Sequence, residues 1–577
     1  MGKLNKLLSI VALLLSTLVS VCQAQSSLTY EVKGLEDGQK RNAELFLQSL
    51  PAIEPDQLTR YQSSILEAVQ KSLQALGYYH PVITMERDDK DREQLNIEVD
   101  PGQPVLIRDI KVELKGDARK NRSFKRIVKR SPLKKGSVFN SGEYEDLKSS
   151  LNTQAQSLGF FDAKMQTHTV KIYPEDYAAD VELVFDSGTR YRFGDIVYGE
   201  IPENTKRLIE EMLTFKPGSK YRSVRLGNLN KDLASTGYFQ QIDIRPMRNR
   251  TENYHVPIFI NVTPNKNHEI ETGVGYSTDE GPRLSLTWDI PLINDKGHSL
   301  TNEALLSAPR TELTSSYKIP YGNPLTEFYD LQAGYQYKEQ EDTKSNLGST
   351  SFHKWNKNPQ GWDRDLFFRI QYENYKQGLQ DGDSFLVIPG ISMTRRHAKG
   401  GKLNPRSGYL IMSKAELSDK FWGSDQNFVK LWGRTKGLTT LAEKHRFIGR
   451  VEQGAIWIND VSTVPPSIRF FTGGDQTVRG YNYESIAPKD ANGKLIGAQY
   501  MTALSVEYNY QFLDHWRAAV FVDSGTATND YKDDWKTGAG FGIRWVTPLG
   551  ALRVDLAFAV SEPGTPYKLH FSMGPEI

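Results

Sequence analysis

Residues 504–510 read LSVEYNY, and apolar or aromatic side chains alternate with polar ones along this stretch. Such a period of two residues is the pattern of a half-buried β-strand. The polar face carries a charge in mid-strand, Glu507. A soluble sandwich also alternates, but charges on the polar face of successive strands are more typical of a membrane barrel, whose inner face lines a polar lumen. The same alternation recurs in residues 329–337, 366–373 and 552–560.

The region with this alternation extends from residue 266 to residue 577. At about twenty residues for each strand with its loop, roughly sixteen strands fit into it. Tyrosines and tryptophans crowd the strand ends, as in the aromatic girdles of outer-membrane barrels. The mean hydropathy of −0.53 agrees with strands that are apolar on one face only. We therefore predict an antiparallel transmembrane β-barrel of approximately 16 strands.

The N-terminal half contains three copies of one phrase, in which a glycine is followed by two aromatic residues. The copies are residues 76–79 (LGYY), 158–161 (LGFF) and 236–239 (TGYF). Each copy ends a segment with helical periodicity and precedes alternating strands, and glycine suits the left-handed position after a helix. The spacing predicts three tandem α+β domains with the order β-α-α-β-β. Three unrelated α+β domains are the alternative.

The first residues have the pattern of a secretory signal peptide. Lys3 and Lys6 precede the apolar segment 7–21, and a cleavage site follows at Ala24 and Gln25. We expect residues 1–24 to be this signal; a membrane anchor and lipidation at Cys22 are the alternatives. Cys22 is the single cysteine of the chain, so thiol catalysis and disulfides are not expected in the mature protein.

Residues 473–481 read GGDQTVRGY and lie between two alternating segments. The Val-Arg-Gly-Tyr sequence within them resembles the signature of the BamA/TamA superfamily of outer-membrane assembly factors, in which this loop folds back into the barrel. The repeated unit resembles the POTRA (polypeptide-transport-associated) domain. The resemblance covers nearly the whole mature chain. It implies POTRA domains over residues 25–101, 102–188 and 189–265 and the transmembrane barrel over residues 266–577.

The resemblance places the loop arginine inside the barrel. An arginine in a polar lumen needs acidic partners, and its forked guanidinium can bridge two strands. Alternation directs Glu507 and Asp523 inward, while an arginine in a solvent-exposed loop is the alternative. The expected loop motif is Val478, Arg479, Gly480 and Tyr481, and the expected wall residues are Glu507, Asp523, Gly525 and Arg544.

In this superfamily the first and last barrel strands meet at a lateral seam. Residues 271–283 (ETGVGYSTDEGPR) resemble the first hairpin of the TamA branch, and glycine weakens packing within a strand. The sequence ends in GPEI, and Gly-Pro interrupts ladder hydrogen bonds, although simple strand termination is the alternative. The expected seam residues are Gly273, Gly275, Tyr276, Leu569, Phe571, Gly574 and Pro575.

Three POTRA units and the loop motif imply a factor that inserts β-barrel proteins, such as autotransporters, into the outer membrane of a Gram-negative bacterium. The implied partners are the lipid bilayer, client proteins and a TamB-like protein that spans the periplasm, where the POTRA domains would lie. The alternative is a two-partner secretion pore that exports a dedicated soluble protein. The sequence contains no recognisable catalytic or phosphate-binding motif, so we expect no enzyme activity, cofactor, metal or nucleic-acid partner.

Overall fold

The structure is a computed structural model. The expected signal peptide, its cleavage site at Ala24 and Gln25, and the seam residue Pro575 lie outside the residues that it describes. No helix among the described residues is both long and apolar enough to cross a membrane. The described residues are 28–88, 93–265, 268–359, 361–401, 403–530, 535–548 and 550–574.

The first domain packs two helices on a three-stranded sheet, in which the third strand is central and parallel to the first. The core comes from the apolar face of the second helix, including Ile65, Val69 and Leu73, and from alternate residues of the central strand. The elements are β1 (Thr29–Lys33), α1 (Asp37–Gln48), α2 (Leu58–Ala75), β2 (Val82–Arg87) and β3 (Gln94–Asp100).

The second domain repeats this topology, with sheet order β4-β6-β5. Asn140 accepts hydrogen bonds from two backbone N–H groups at the start of its long helix, and Gly159 ends that helix with a φ of 80°. The repeated glycine therefore has the conformation that side chains disfavour. The elements are β4 (Leu106–Lys115), α3 (Arg122–Arg130), α4 (Ser141–Leu158), β5 (Lys164–Tyr173) and β6 (Ala178–Asp186).

The third domain has sheet order β7-β9-β8. Tyr238, from its copy of the repeated phrase, is buried and donates a 2.7 Å hydrogen bond to the carbonyl oxygen of Gly297, in a turn of the barrel. The third phrase therefore contacts the barrel directly. The elements are β7 (Arg192–Tyr198), α5 (Glu203–Glu211), α6 (Ser223–Ser235), β8 (Phe239–Pro246) and β9 (His255–Pro264).

The remaining strands form one 16-stranded sheet in which sequence neighbours pair antiparallel. The predicted fold class, three α+β domains followed by a 16-stranded barrel, is confirmed. The strands are β10 (Glu269–Ser277), β11 (Gly281–Ile290), β12 (Ser299–Ser307), β13 (Arg310–Pro320), β14 (Glu327–Gln340), β15 (Thr343–Asn356), β16 (Asp363–Gln377), β17 (Gln380–Lys399), β18 (Ser407–Ser418), β19 (Phe428–Leu441), β20 (His445–Trp457), β21 (Tyr500–Leu513), β22 (Trp516–Thr528), β23 (Lys536–Thr547), β24 (Gly550–Ala559) and β25 (Tyr567–Gly574).

The two faces of the barrel wall differ as the alternation predicts. On β21, Val506 is 66% exposed on the outer face, whereas the neighbouring Glu507 is buried inside. On β23, Phe541 and Ile543 are exposed, and Arg544 next to them is among the most deeply buried large side chains. The wall is therefore apolar outside and charged inside, and charged side chains inside need partners within the lumen.

Candidate functional site: the loop inside the barrel

The connection from β20 to β21, residues 458–499, folds into the barrel. Its first part is apolar, and Val464, Ile468 and Phe470 are buried in one cluster with wall residues that include Leu386 and Ile388 of β17. Both wall residues lie opposite inward positions of β16 in the sheet register. Burial of these side chains supplies the hydrophobic contribution to loop docking.

Arg469 fixes the base of the loop. Its guanidinium donates to the carbonyl oxygens of Val464, Ile496 and Ser462 at 2.7–2.8 Å, and to Oε1 of Gln380 on β17 at 2.8 Å. The arginine thus holds both chain segments of the loop together and fastens them to the wall. The sequence does not mark this residue as part of the site, because four carbonyl acceptors leave no charge pattern in the sequence.

Arg479 is buried in the lumen, with 6% of its surface exposed. Its Nε and Nη2 donate to the two carboxylate oxygens of Asp523 on β22, at 2.7 and 3.0 Å. Its Nη1 donates to Glu507 on β21 at 2.8 Å and to Asp555 on β24 at 3.2 Å. The guanidinium carbon lies 3.4 Å from the ring centroid of Phe521, so a cation–π contact completes the site.

Arg544 forms the second cationic centre of the same network. Its Nη2 donates to Glu507 at 3.0 Å, and its Nη1 donates to Asp555 at 2.6 Å. Two arginines therefore bind three carboxylates, of which they share Glu507 and Asp555, and the wall residues involved lie on four strands. Bidentate, charge-assisted hydrogen bonds of this kind fix geometry more strictly than single contacts do. We call these five side chains, Arg479, Glu507, Asp523, Arg544 and Asp555, the lumen charge network.

Glycines of the wall make room for the motif. A Cβ on Gly538 of β23 would collide with the carbonyl oxygen of Arg479, and a Cβ on Gly525 of β22 would lie 3.0 Å from Cγ2 of Val478. Gly480 has a φ of 98°, in the region that favours glycine. The tyrosine of the motif, Tyr481, is also buried. At these glycines the loop therefore packs directly against the backbone of the wall.

The loop also contacts both edges of the barrel sheet. Its backbone N–H at Asp475 donates to Oδ2 of Asp279, in the β10–β11 turn, at 2.7 Å. Its N–H at Gly480 donates to Nε2 of His570 on β25 at 3.0 Å. Burial, reinforced by the nearby Asp475 carboxylate, raises the pKa of Asp279 well above its usual value. Since β10 and β25 are the two ends of the sheet, the loop bridges the seam.

The seam lies between these two edge strands. Among the described residues, β10 and β25 are not paired by a ladder of backbone hydrogen bonds. The backbone N–H of Thr278, just after β10, donates to the carbonyl oxygen of Phe571 at 3.2 Å. Tyr276 contacts the Phe571 ring, with 5.9 Å between the centroids. Leu569 is exposed, and Gly574 is the last residue of β25. Gly273 and Gly275 lie opposite Ser285 and Arg283 of β11, whose side chains occupy the space that a Cβ would need.

The structure thus brings the motif residues and all four expected wall residues together. It adds three contact residues that were not expected at the site from the sequence. Asp555 and Phe521 alternate inward in their strands, which was a usable signal, but many lumen residues share that signal. His570 also alternates inward, yet only the fold places it against the loop. Among the described residues, no group of three or more His, Cys, Asp and Glu side chains is arranged to hold a metal ion.

Tandem α+β domains followed by a barrel with an internal loop define a class of outer-membrane β-barrel proteins. Residues 266–577 match the model of the Omp85 superfamily domain, so the chain belongs to the Omp85 superfamily. Residues 29–101 match the model described as POTRA domain TamA domain 1. Residues 107–188 match the POTRA model described as surface antigen variable number repeat.

In sequence, the chain is similar to the outer membrane protein assembly factor BamA of Nitratidesulfovibrio vulgaris, with 25% identity over 441 residues, 72% of this chain and 55% of that protein. The chain thus spans about half the length of this curated relative. Its fold is similar to that of Haemophilus ducreyi BamA lacking POTRA domains 1–3, with a TM-score of 0.64, 16% identity and coverage of 82% of this chain and 99% of that one. CdiB from Acinetobacter baumannii matches at a TM-score of 0.45 and 13% identity, covering 94% and 100%.

Proposed function

We propose that this protein is an assembly factor of the TamA kind, which inserts β-barrel proteins such as autotransporters into the outer membrane of a Gram-negative bacterium. Membership of the Omp85 superfamily and the TamA model matched by residues 29–101 support this proposal. The barrel over residues 266–577 would span the membrane, and POTRA domains over 25–101, 102–188 and 189–265 would lie in the periplasm. The activity is mechanical and uses no cofactor.

The observation that carries the proposal is the seam. A sheet edge without a paired neighbour presents free backbone N–H and C=O groups, which template another strand. Among the described residues, β10 and β25 are joined by the Thr278–Phe571 contacts at one end and by side-chain packing, without a ladder register. Parting these edges would therefore cost few hydrogen bonds. A client strand could then pair with an edge and pass sideways into the bilayer.

The proposed periplasmic partner is a TamB-like protein that docks on the first POTRA domain. Both β1 and β2 are edges of its sheet, and Val82 at the start of β2 is 65% exposed. An exposed edge with an apolar side chain suits the addition of a strand from another chain. Deletion of residues 26–101 should abolish copurification of such a partner while the barrel still folds. Retained copurification would place the partner elsewhere.

The test of insertion is a disulfide across the seam. Tyr276→Cys with Phe571→Cys places one thiol on each seam strand, at positions whose side chains are neighbours, and formation of the disulfide is checked by mass spectrometry. In proteoliposomes the oxidised protein should fail to integrate an autotransporter barrel, and reduction should restore integration. The matched control is Val520→Cys with Phe541→Cys, which are paired on β22 and β23, away from the seam. Oxidation of the control should change nothing.

The same proteoliposomes separate the two candidate functions. An assembly factor leaves its client integrated in the membrane and resistant to carbonate extraction. A secretion pore releases a soluble partner into the opposite compartment without integrating it. Full integration by the oxidised seam variant would refute lateral opening, and release of soluble protein without integration would refute the assembly proposal as a whole.

A further inference from the structure

Residues 115–135, in the second α+β domain, read KGDARKNRSFKRIVKRSPLKK. Ten of these residues are basic, and Asp117 is the single acid. The chain as a whole carries a net charge of +2, so this segment concentrates positive charge that the rest of the protein balances. The basic residues are Lys115, Arg119, Lys120, Arg122, Lys125, Arg126, Lys129, Arg130, Lys134 and Lys135, and each is exposed.

Helix α3 displays half of these charges on one face. Phe124 is buried, and Ile127 and Val128 pack against the core of the domain. At 100° per residue, the five basic residues of the helix occupy an arc of about 140° on the opposite side. The basic residues before and after the helix are also exposed, and we call all ten together the basic face. Half of the positive charge of the segment is therefore gathered on one side of α3.

The basic face is not neutralised by the protein itself. Among the described residues, none of its ten cations lies within 4.0 Å of a carboxylate, whereas Lys111 on β4 of the same domain lies 3.0 Å from Glu182. Clustered like charges repel each other and destabilise a compact domain. The negative end of the α3 dipole compensates only charges in its last turn, Lys129 and Arg130. We therefore expect an anion outside the protein to neutralise the remaining positive charge.

We propose that the basic face binds the anionic phospholipid headgroups of the membrane in which the barrel resides. Flexible cations on a convex helix suit a diffuse, negatively charged surface. The one aromatic residue of the segment, Phe124, is buried, so the face has no stacking platform for nucleic acid and no aromatic anchor for a peptide. One domain, residues 189–265, separates this domain from the barrel, and the tether keeps the membrane surface at high effective concentration.

The test uses the full chain reconstituted in bilayers. Ser123→Cys on α3 carries an environment-sensitive fluorophore, and a quencher is attached to a fraction of the lipid headgroups. We expect quenching in phosphatidylcholine vesicles with 30% phosphatidylglycerol, little quenching in pure phosphatidylcholine, and loss of quenching at about 0.5 M salt, because salt screens such contacts. The same label at Ser150, on α4, should not respond.

Charge reversal supplies a matched comparison. Each cation near an anionic surface is worth about a fivefold change in binding. Lys125→Glu with Lys129→Glu should therefore weaken the phosphatidylglycerol response at least about twentyfold. Lys164→Glu with Lys171→Glu, on exposed positions of β5, changes the net charge equally and should leave the response intact.

Two outcomes would overturn the proposal. Equal quenching with and without phosphatidylglycerol would mean that the domain does not recognise lipid charge. Insensitivity to phosphatidylglycerol combined with a response to polyglutamate would make the face a docking site for an acidic polypeptide. Neither outcome bears on client insertion, since the inference does not depend on the assembly activity.

Discussion

Replacement of Arg479 by alanine should be among the most damaging single changes in the barrel. The variant leaves Asp523, Glu507 and Asp555 in place, but Arg544 still donates to the last two. Asp523 is fully buried and accepts three hydrogen bonds from Arg479, one from the backbone N–H and two from Nε and Nη2, and the variant removes the two side-chain bonds. The backbone bond can persist, so the main loss is the bidentate cation.

The expected cost follows from that burial. Removing one partner of a buried ion pair destabilises a protein by about 3–5 kcal/mol, because the other charge is left uncompensated. Arg479→Lys retains the charge but cannot donate to both oxygens of Asp523 and reach Glu507, so it should recover about half of the loss. Asp523→Asn in the Arg479→Ala background should also recover part of it, since the isolated charge disappears.

The assay is urea unfolding of the barrel in detergent micelles, followed by tryptophan fluorescence, with client insertion measured in parallel. Lys344→Ala is the control, because Lys344 and its partner Glu339 are both more than half exposed, and its unfolding midpoint should match that of the wild type. An Arg479→Ala variant that unfolds and functions like the wild type would show that the lumen charge network does not hold the loop. Partial rescue by Lys together with rescue by Asp523→Asn would support it.

Two further predictions concern the fit of the loop. Gly538→Ala should displace the loop and impair insertion, because its Cβ would collide with the Arg479 carbonyl oxygen. Gly437→Ala on β19 is the control and should be neutral, because its Cβ would meet nothing within 4 Å. Equal unfolding midpoints for the two variants would contradict the close fit between Gly538 and the loop. Burial and the nearby Asp475 carboxylate hold the pKa of Asp279 above its usual value in the folded protein, so its contribution to stability is present below a pH of about 4 and is lost as the pH rises. Asp279→Asn should remove that loss, and the free energy of unfolding of the variant relative to the wild type should increase between pH 5 and pH 8.

The fold was largely predictable because its signals are local. A glycine after each long helix and two aromatic residues at the start of the next segment repeat three times, and the structure has three β-α-α-β-β domains at those positions. Alternation along 504–510 or 552–560 fixes which side chains face inward without knowledge of any partner strand. A period of two is a property of one strand, so it survives in the sequence of a barrel.

The site was predictable only in part, because contacts across strands depend on register. Asp555 faces inward like many other polar residues, and nothing in its own strand marks it as a partner of Arg479. Its place is set by pairing opposite Gly542 of β23, where a larger residue would collide with the carboxylate. Arg469 was missed for a different reason, since backbone carbonyls are its main acceptors and every residue has one.

The lumen charge network also determines how the seam can open. The wall residues that hold Arg479 belong to β21, β22 and β24, which all lie toward the β25 end of the sheet. The Gly480–His570 bond fastens the loop to β25 as well. Elsewhere the loop is fastened to Lys338 of β14 through Glu484 and to Gln380 of β17 through Arg469. Among the described residues, its hydrogen bond to the β10–β11 hairpin is the one from Asp475 to Asp279, within a turn. When the edges part, the loop should therefore stay with β25 and the rest of the wall, and the β10 hairpin should be the part that detaches and exposes its edge.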